Sequence, residues 1–159
     1  ANMSFFRTLQ FSKGAVSLFA NPKFEKSLAF AKYIEKNLNT AGKDIGDLPF
    51  DFEETTTAPT LDQLLTIKSF VDEKKGIVPS TFTPAQVFAP AQPALKAAGK
   101  TFPDDWKSHK IIETLIKADT FDNPTVIRPI LVDWEKGQVA IDDLEAAKKL
   151  WEELILRQD

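Results

Sequence analysis

Asn21-Pro22-Lys23-Phe24-Glu25-Lys26-Ser27 follows an apolar run, Val16–Phe19, and opens a helical pattern. A strand, a tight Asn-Pro turn and a helix in that order set the first helical turn beside the end of the strand. Unpaired N–H groups and the positive end of the helix dipole favour anions there and activate a thiol. In this chain the turn offers Lys23, Phe24 and Glu25. Phenyl has no lone pair, so position 24 cannot supply a nucleophile. The chain also has no cysteine. That excludes disulfides, thiolate catalysis and Cys-ligated metal clusters for this sequence.

Other polar residues suggest chemistry less strongly. Arg128 precedes Pro129 at the start of the expected strand Ile130–Trp134. A guanidinium there suits bidentate contact with an anion or, equally, a structural ion pair. His109 and Asp105 are four residues apart on a helical pattern. One His and one carboxylate make an incomplete metal site, so a solvated helix face is expected. Asp51, Glu53 and Glu54 could do acid–base work. Their alternation with Phe50 and Phe52 marks them instead as the wet side of a strand. Trp134 is expected to cover core while its N–H reaches an edge. No Gly-rich phosphate loop, Ser-His-Asp arrangement or metal-binding cluster occurs in the sequence. No catalytic residue, metal or cofactor follows from the residues themselves.

The 159 residues suit one domain, and the net charge of −3 comes without a clustered Lys/Arg stripe. That argues against nucleic acid, which needs clustered cations. No apolar run approaches the ~20 residues of a membrane span. Ala1-Asn2 before Met3 reads as an added tail. No acid precedes Glu25, while Arg7 and Lys13 do, a composition compatible with mitochondrial targeting. The other reading is an N-terminal arm over 1–13, packed through Phe5, Phe6 and Leu9.

The elements that must position these residues follow from periodicity. Ala15–Phe19 reads as a buried strand. Asn21 is expected to cap the first helix, with Pro22 at its first position. Phe24, Leu28, Ala31, Ile34 and Leu38 recur at helical spacing, so Phe24 reads as a core residue of that face. Asn39–Gly42 ends the helix. Leu48–Glu54 is a second strand. Thr60 and Gln63 form a capping-box pattern before a helix with Leu61, Leu64, Leu65, Ile67 and Val71 inward. Lys74-Lys75-Gly76 closes it. Residues 79–103 hold Pro79, Pro84, Pro90, Pro93 and Pro103, half of the chain's prolines, interleaved with Phe82, Val87, Phe88 and Phe102. Linkers lack such aromatics. A Pro/Phe-rich insertion over 76–104 is expected, with one or two short helical turns packed onto the domain. Asp104–Ala118 is helical, with Ile112, Leu115 and Ile116 inward. Ile130–Trp134 and Gln138–Ile141 flank a short turn and form a hairpin. Asp142 with Glu145 caps a last helix whose face is Leu144, Ala147, Trp151, Leu154 and Ile155.

The result is a βαβ unit followed by a ββα unit. One α/β domain over 14–159 is expected, with a mixed four-stranded sheet flanked by helices. This is the element order of the thioredoxin fold.

Three stretches carry a resemblance. "NPKFEKSLAF" resembles the Asn-Pro-x-Cys-x-x-Ser turn of arsenate-reductase-like thioredoxin-fold proteins. "TAPTLDQLL" and "VIRPILVDWEKGQVAI" are similar to their second-helix start and their Arg-Pro strand with its hairpin. "MSFFRTLQ" and "VDWEKG" resemble a small fungal family of mitochondrial thioredoxin-fold proteins regarded as redox proteins. The resemblance implies a mitochondrial location, an oxidoreductase or glutathione-handling role, and a cis bond at Arg128-Pro129. It implies a cleft at Asn21, Lys23, Phe24, Arg128 and Pro129. The reactive cysteine of the first group falls at Phe24, and that of the fungal family near Ile116. Both positions lack a thiol here. Of the arginines of the arsenate site, only Arg128 has a counterpart. Two functions follow: a redox protein by kinship, or a binding module for a protein partner or a small thiol or anionic ligand such as glutathione.

Overall fold

Val16 and Leu18 turn to one side of the first strand, β1 (Gly14–Phe19), and Phe19 turns to the other. The same alternation divides the whole sheet into two apolar faces. β1 pairs in parallel with β2 (Phe50–Thr55) and antiparallel with β3 (Ile130–Asp133), which pairs antiparallel with β4 (Gln138–Ile141). The strand order is β2-β1-β3-β4, a mixed four-stranded sheet. The computed structural model describes residues 14–73, 82–103 and 105–157. The expected arm over 1–13, the Lys74-Lys75-Gly76 stop, Pro79 and Asp104 lie outside these residues.

Two helices cover one face. From α1 (Glu25–Ala41), Phe30, Ile34 and Leu38 meet Leu18, Phe50 and Leu131 of the sheet. From α6 (Leu144–Ile155), Ala147, Leu150, Trp151 and Leu154 complete that core. Trp151 is its centre, with the rings of Phe52 and Phe50 edge-on at 5.2 and 5.5 Å. Its indole N–H leaves the core to donate to Asn37 Oδ1 at 3.2 Å.

The other face is covered by α2 (Leu61–Asp72), the insertion and α5 (His109–Ala118). The insertion carries two short helices, α3 (Pro84–Val87) and α4 (Gln92–Ala97), joined through a 3-10 turn at Ala89–Ala91. Phe82, Val87, Phe88 and Phe102 are all buried, as the interleaved aromatics predict. Phe82 stacks on Trp106 with centroids 5.2 Å apart. Ile127 N–H donates to Val87 O at 2.9 Å and ties the insertion to the segment leading into β3. Residues 82–103 of the insertion are therefore part of the core.

Three helix starts differ from the periodicity. Asn21 and Pro22 stand before α1, and Phe24 is its N-cap in extended geometry, with no side-chain cap. The buried face of α1 is Ser27, Phe30, Ile34 and Leu38; Phe24 is half-buried and Leu28 is 40% exposed. Both phases share Ile34 and Leu38, so spacing alone does not separate them. α5 begins at His109 because Asp105 Oδ1 takes Lys107 N–H at 3.0 Å, holding the preceding residues in a turn. α6 is capped by Asp143, which accepts Ala146 N–H at 3.0 Å; Asp142 takes a left-handed φ of 50°.

The capping box at α2 is present in full. Thr60 Oγ1 accepts Gln63 N–H at 3.1 Å, and Gln63 Oε1 accepts Thr60 N–H at 2.9 Å. Thr60→Ala removes one of these acceptors. It is expected to lower stability by about 1 kcal/mol, read as a shifted urea midpoint with an unchanged slope.

Candidate functional site

The carboxyl ends of the parallel strands β1 and β2 open toward one edge of the sheet, where ligands of open α/β sheets bind. Three segments meet there: the turn Ala20–Phe24, the loop Thr56–Ala58 and the segment from Asp119 to Arg128. Ala20 N–H continues the β1–β2 ladder onto Thr55 O at 2.9 Å.

Asn21 organises the first segment and is fully buried. Its side-chain Oδ1 accepts Lys23 N–H at 2.9 Å, and its main-chain O accepts Phe24 N–H at 2.9 Å. Its own N–H donates to Ser27 Oγ at 2.8 Å, which explains why a serine sits on the buried face of α1. Its amide Nδ2 reaches across to Phe121 O at 3.1 Å. The turn is thus bonded to itself, to α1 and to the third segment. The N–H groups of Glu25, Lys26 and Ser27 have no acceptor within the helix. The Glu25 carboxylate in that first turn offsets the positive dipole end.

Arg128 is the largest departure from an open anion site. Its side chain is 0% exposed and that of its partner Asp119 is 4% exposed. Nη1 donates to Asp119 Oδ1 at 2.8 Å and Nη2 to Asp119 Oδ2 at 2.7 Å, a bidentate pair. Nη1 also donates to Val126 O at 2.7 Å and Nη2 to Thr56 O at 2.9 Å. Asp119 Oδ1 further accepts Thr125 N–H at 2.8 Å and Val126 N–H at 3.2 Å. Of the two readings the sequence leaves open for Arg128, the structural ion pair is the one formed. The Arg128-Pro129 bond is cis, and Pro129 is buried with its carbonyl accepting Asp142 N–H at 2.8 Å.

Lys23 is spent in a similar way, though at the surface. Its ammonium lies 3.3 Å from Asp122 and 5.9 Å above the Phe121 ring. Between the segments remains a cavity of about 200 Å³, lined by Thr56, Ala58, Ile116, Asp119 and Phe121 among others. Asn21, Lys23 and Arg128 thus converge on the Asp119–Asp122 segment, while Phe24 stands half-exposed at the start of α1. The site holds no general base poised beside a nucleophile.

The remaining sequence candidates lie apart from this corner. Asp51, Glu53 and Glu54 are exposed on β2, an edge strand, where charge discourages further strand pairing. His109 is exposed, and no group of three or more His, Cys, Asp or Glu could hold a metal among the described residues. No helix among those residues is long and apolar enough to cross a membrane. Trp134 packs against the core, and its Nε1–H donates to Ser17 Oγ at 2.8 Å. A second buried pair is absent from the sequence reading: Asp133, fully buried, accepts Arg157 Nη2–H at 2.6 Å and also Glu135 N–H at 3.2 Å. It pins the hairpin turn to the end of α6.

No curated protein and no solved structure matches the chain. Residues 6–142, well over half of the sequence, match one family model, and the chain belongs to that family, described as Protein of unknown function (DUF1687).

Proposed function

We propose that this protein is a non-catalytic binding module on a thioredoxin-like fold, acting in the mitochondrion as a relative of redox proteins that has lost their thiol. The βαβ–ββα order and the strand order β2-β1-β3-β4 support the kinship. Two observations carry the loss of chemistry. Phe24 occupies the N-cap of α1, and the guanidinium of Arg128 is sealed against Asp119. Thiol–disulfide exchange needs an attacking thiolate, and the chain contains none. Ile116, near which the fungal family that the sequence resembles has a cysteine, lines the small cavity as an apolar side chain. Any redox step at this corner must take its thiol from a partner or ligand.

A glutathione-handling role is the second reading. It draws on the uncapped first turn of α1. Against it, the cations that would receive the ligand's carboxylates are engaged by Asp119 and Asp122. Titration with glutathione to millimolar concentration, followed by backbone amide NMR shifts, separates the readings. No saturable shift is expected at Lys23, Phe24 or Ser27. Saturable shifts clustered there would instead support the glutathione-handling reading.

A further inference from the structure

α5 presents apolar side chains in two directions. Ile112 is fully buried against the sheet, while its neighbour Ile111 is 45% exposed. Ile111 lines a groove between α5 and the end of the insertion, with a volume of about 430 Å³. Leu95, Phe102 and Leu115 supply more of its apolar wall. That volume lies within the range of small-molecule sites, which combine apolar walls with a few placed polar groups.

The charged side chains among the described residues lining this groove have one sign. Lys100 and Lys110 line it, and no acidic side chain among the described residues does. Both lysines are exposed, and neither forms an ion pair among the described residues. This stands out in a chain of net charge −3. The groove's backbone and hydroxyl groups are partly satisfied from within: Lys100 N–H donates to Leu95 O at 2.9 Å, and Thr114 Oγ1 to Lys110 O at 2.8 Å. The unmatched features are therefore an apolar trough and two ammonium groups.

We propose that this groove binds a single-chain monocarboxylate amphiphile, with the hydrocarbon against Leu95, Phe102, Ile111 and Leu115 and the carboxylate between Lys100 and Lys110. The complementarity is direct. Burying the chain removes apolar surface from water, and the carboxylate gains charge-assisted hydrogen bonds from the two ammonium groups. An uncharged chain would leave the lysines unmatched, and a small anion would leave the trough wet. The inference rests on the binding-module reading but uses a surface separate from the Phe24–Arg128 corner.

The test is titration of the full chain with dodecanoate below its aggregation concentration, read by backbone amide NMR shifts. Saturable shifts at Leu95, Lys100, Ile111 and Thr114 are expected. Dodecanol, matched in chain length but uncharged, is expected to bind about tenfold more weakly, as is dodecanoate to the Lys100→Met, Lys110→Met double variant. These surface changes leave the core intact, and Ile111→Asp is expected to abolish the shifts. Absence of saturable shifts overturns the proposal. So does equal binding of dodecanol, or an undiminished affinity in the double variant, because either would reduce the groove to unselective apolar contact. Tighter binding of an acidic, phenylalanine-containing peptide than of dodecanoate would also overturn it in favour of a peptide groove. None of these outcomes alters the glutathione titration, so the two readings fail separately.

Discussion

Asp119→Ala is expected to destabilise the protein by about 3–5 kcal/mol, because it strands a buried guanidinium. Arg128 has no exposed surface, so its guanidinium is left in a desolvated site without its counter-charge. Two of its N–H groups lose their acceptor, and only Val126 O and Thr56 O remain to the two terminal nitrogens. Thr125 and Val126 N–H lose their common acceptor in the same step. The effect is amplified because this pair joins three segments: the end of α5, the loop after β2 and the lead into β3. Urea unfolding gives the loss directly. Arg128→Met should be comparably costly, as it leaves a buried carboxylate. Replacing both partners by apolar residues should cost less than the sum of the single changes, since no uncompensated charge remains. A loss below about 1 kcal/mol for Asp119→Ala would mean that the pair behaves as an exposed one, free to receive a ligand anion.

Phe88→Ala is expected to cost about 3–5 kcal/mol, the range for deleting a buried phenyl. Phe88 is fully buried, and its ring lies 5.7 Å from that of Phe102. Both belong to the same core as Ile130, Val132 and Val139 of the sheet. An ornamental loop would tolerate the change. Here the cavity would open between the insertion and the sheet, where neighbours on both sides are fixed. The contrast is Leu28→Ala on α1. Sequence spacing predicts a core position, but the side chain is 40% exposed, and a change within about 0.5 kcal/mol is expected. Equal effects of the two substitutions would show that α1 packs by its other face.

What could be read in the sequence depends on how local the cause is. Gln138–Ile141 was legible because its ends are marked by a turn on one side and a helix cap on the other. The Thr60–Gln63 box was legible because both partners lie within one turn. The phase of α1 was not. Phe24, Leu28 and Ala31 fit helical spacing as well as Ser27 and Phe30 do, and the decision falls to Asn21. That side chain closes a turn on Lys23 and reaches Phe121, 100 residues away, so α1 starts only after Phe24. Arg128 was visible as a candidate but its partner was not. Asp119 sits in a stretch whose Asp, Thr, Asn and Pro read as turn formers, and nothing periodic links it to Arg128. Asp133 and Arg157 escaped for the same reason. The groove at Lys100, Lys110 and Ile111 arises where the insertion meets α5, and no single segment announces it.

Under the proposed function, the start of α1 keeps the unpaired N–H groups of a thiol-bearing corner without the thiol. Phe24→Cys tests it most directly. The new thiol would stand at the N-cap of a 17-residue helix, half-exposed, with no side chain competing for the first N–H groups. Its pKa, measured from the pH dependence of alkylation by iodoacetamide, is expected to fall clearly below the free value of about 8.5. A value at or above about 8.5 would show that the helix start does not stabilise a thiolate. It would contradict the proposed kinship with thiol-bearing proteins at this corner.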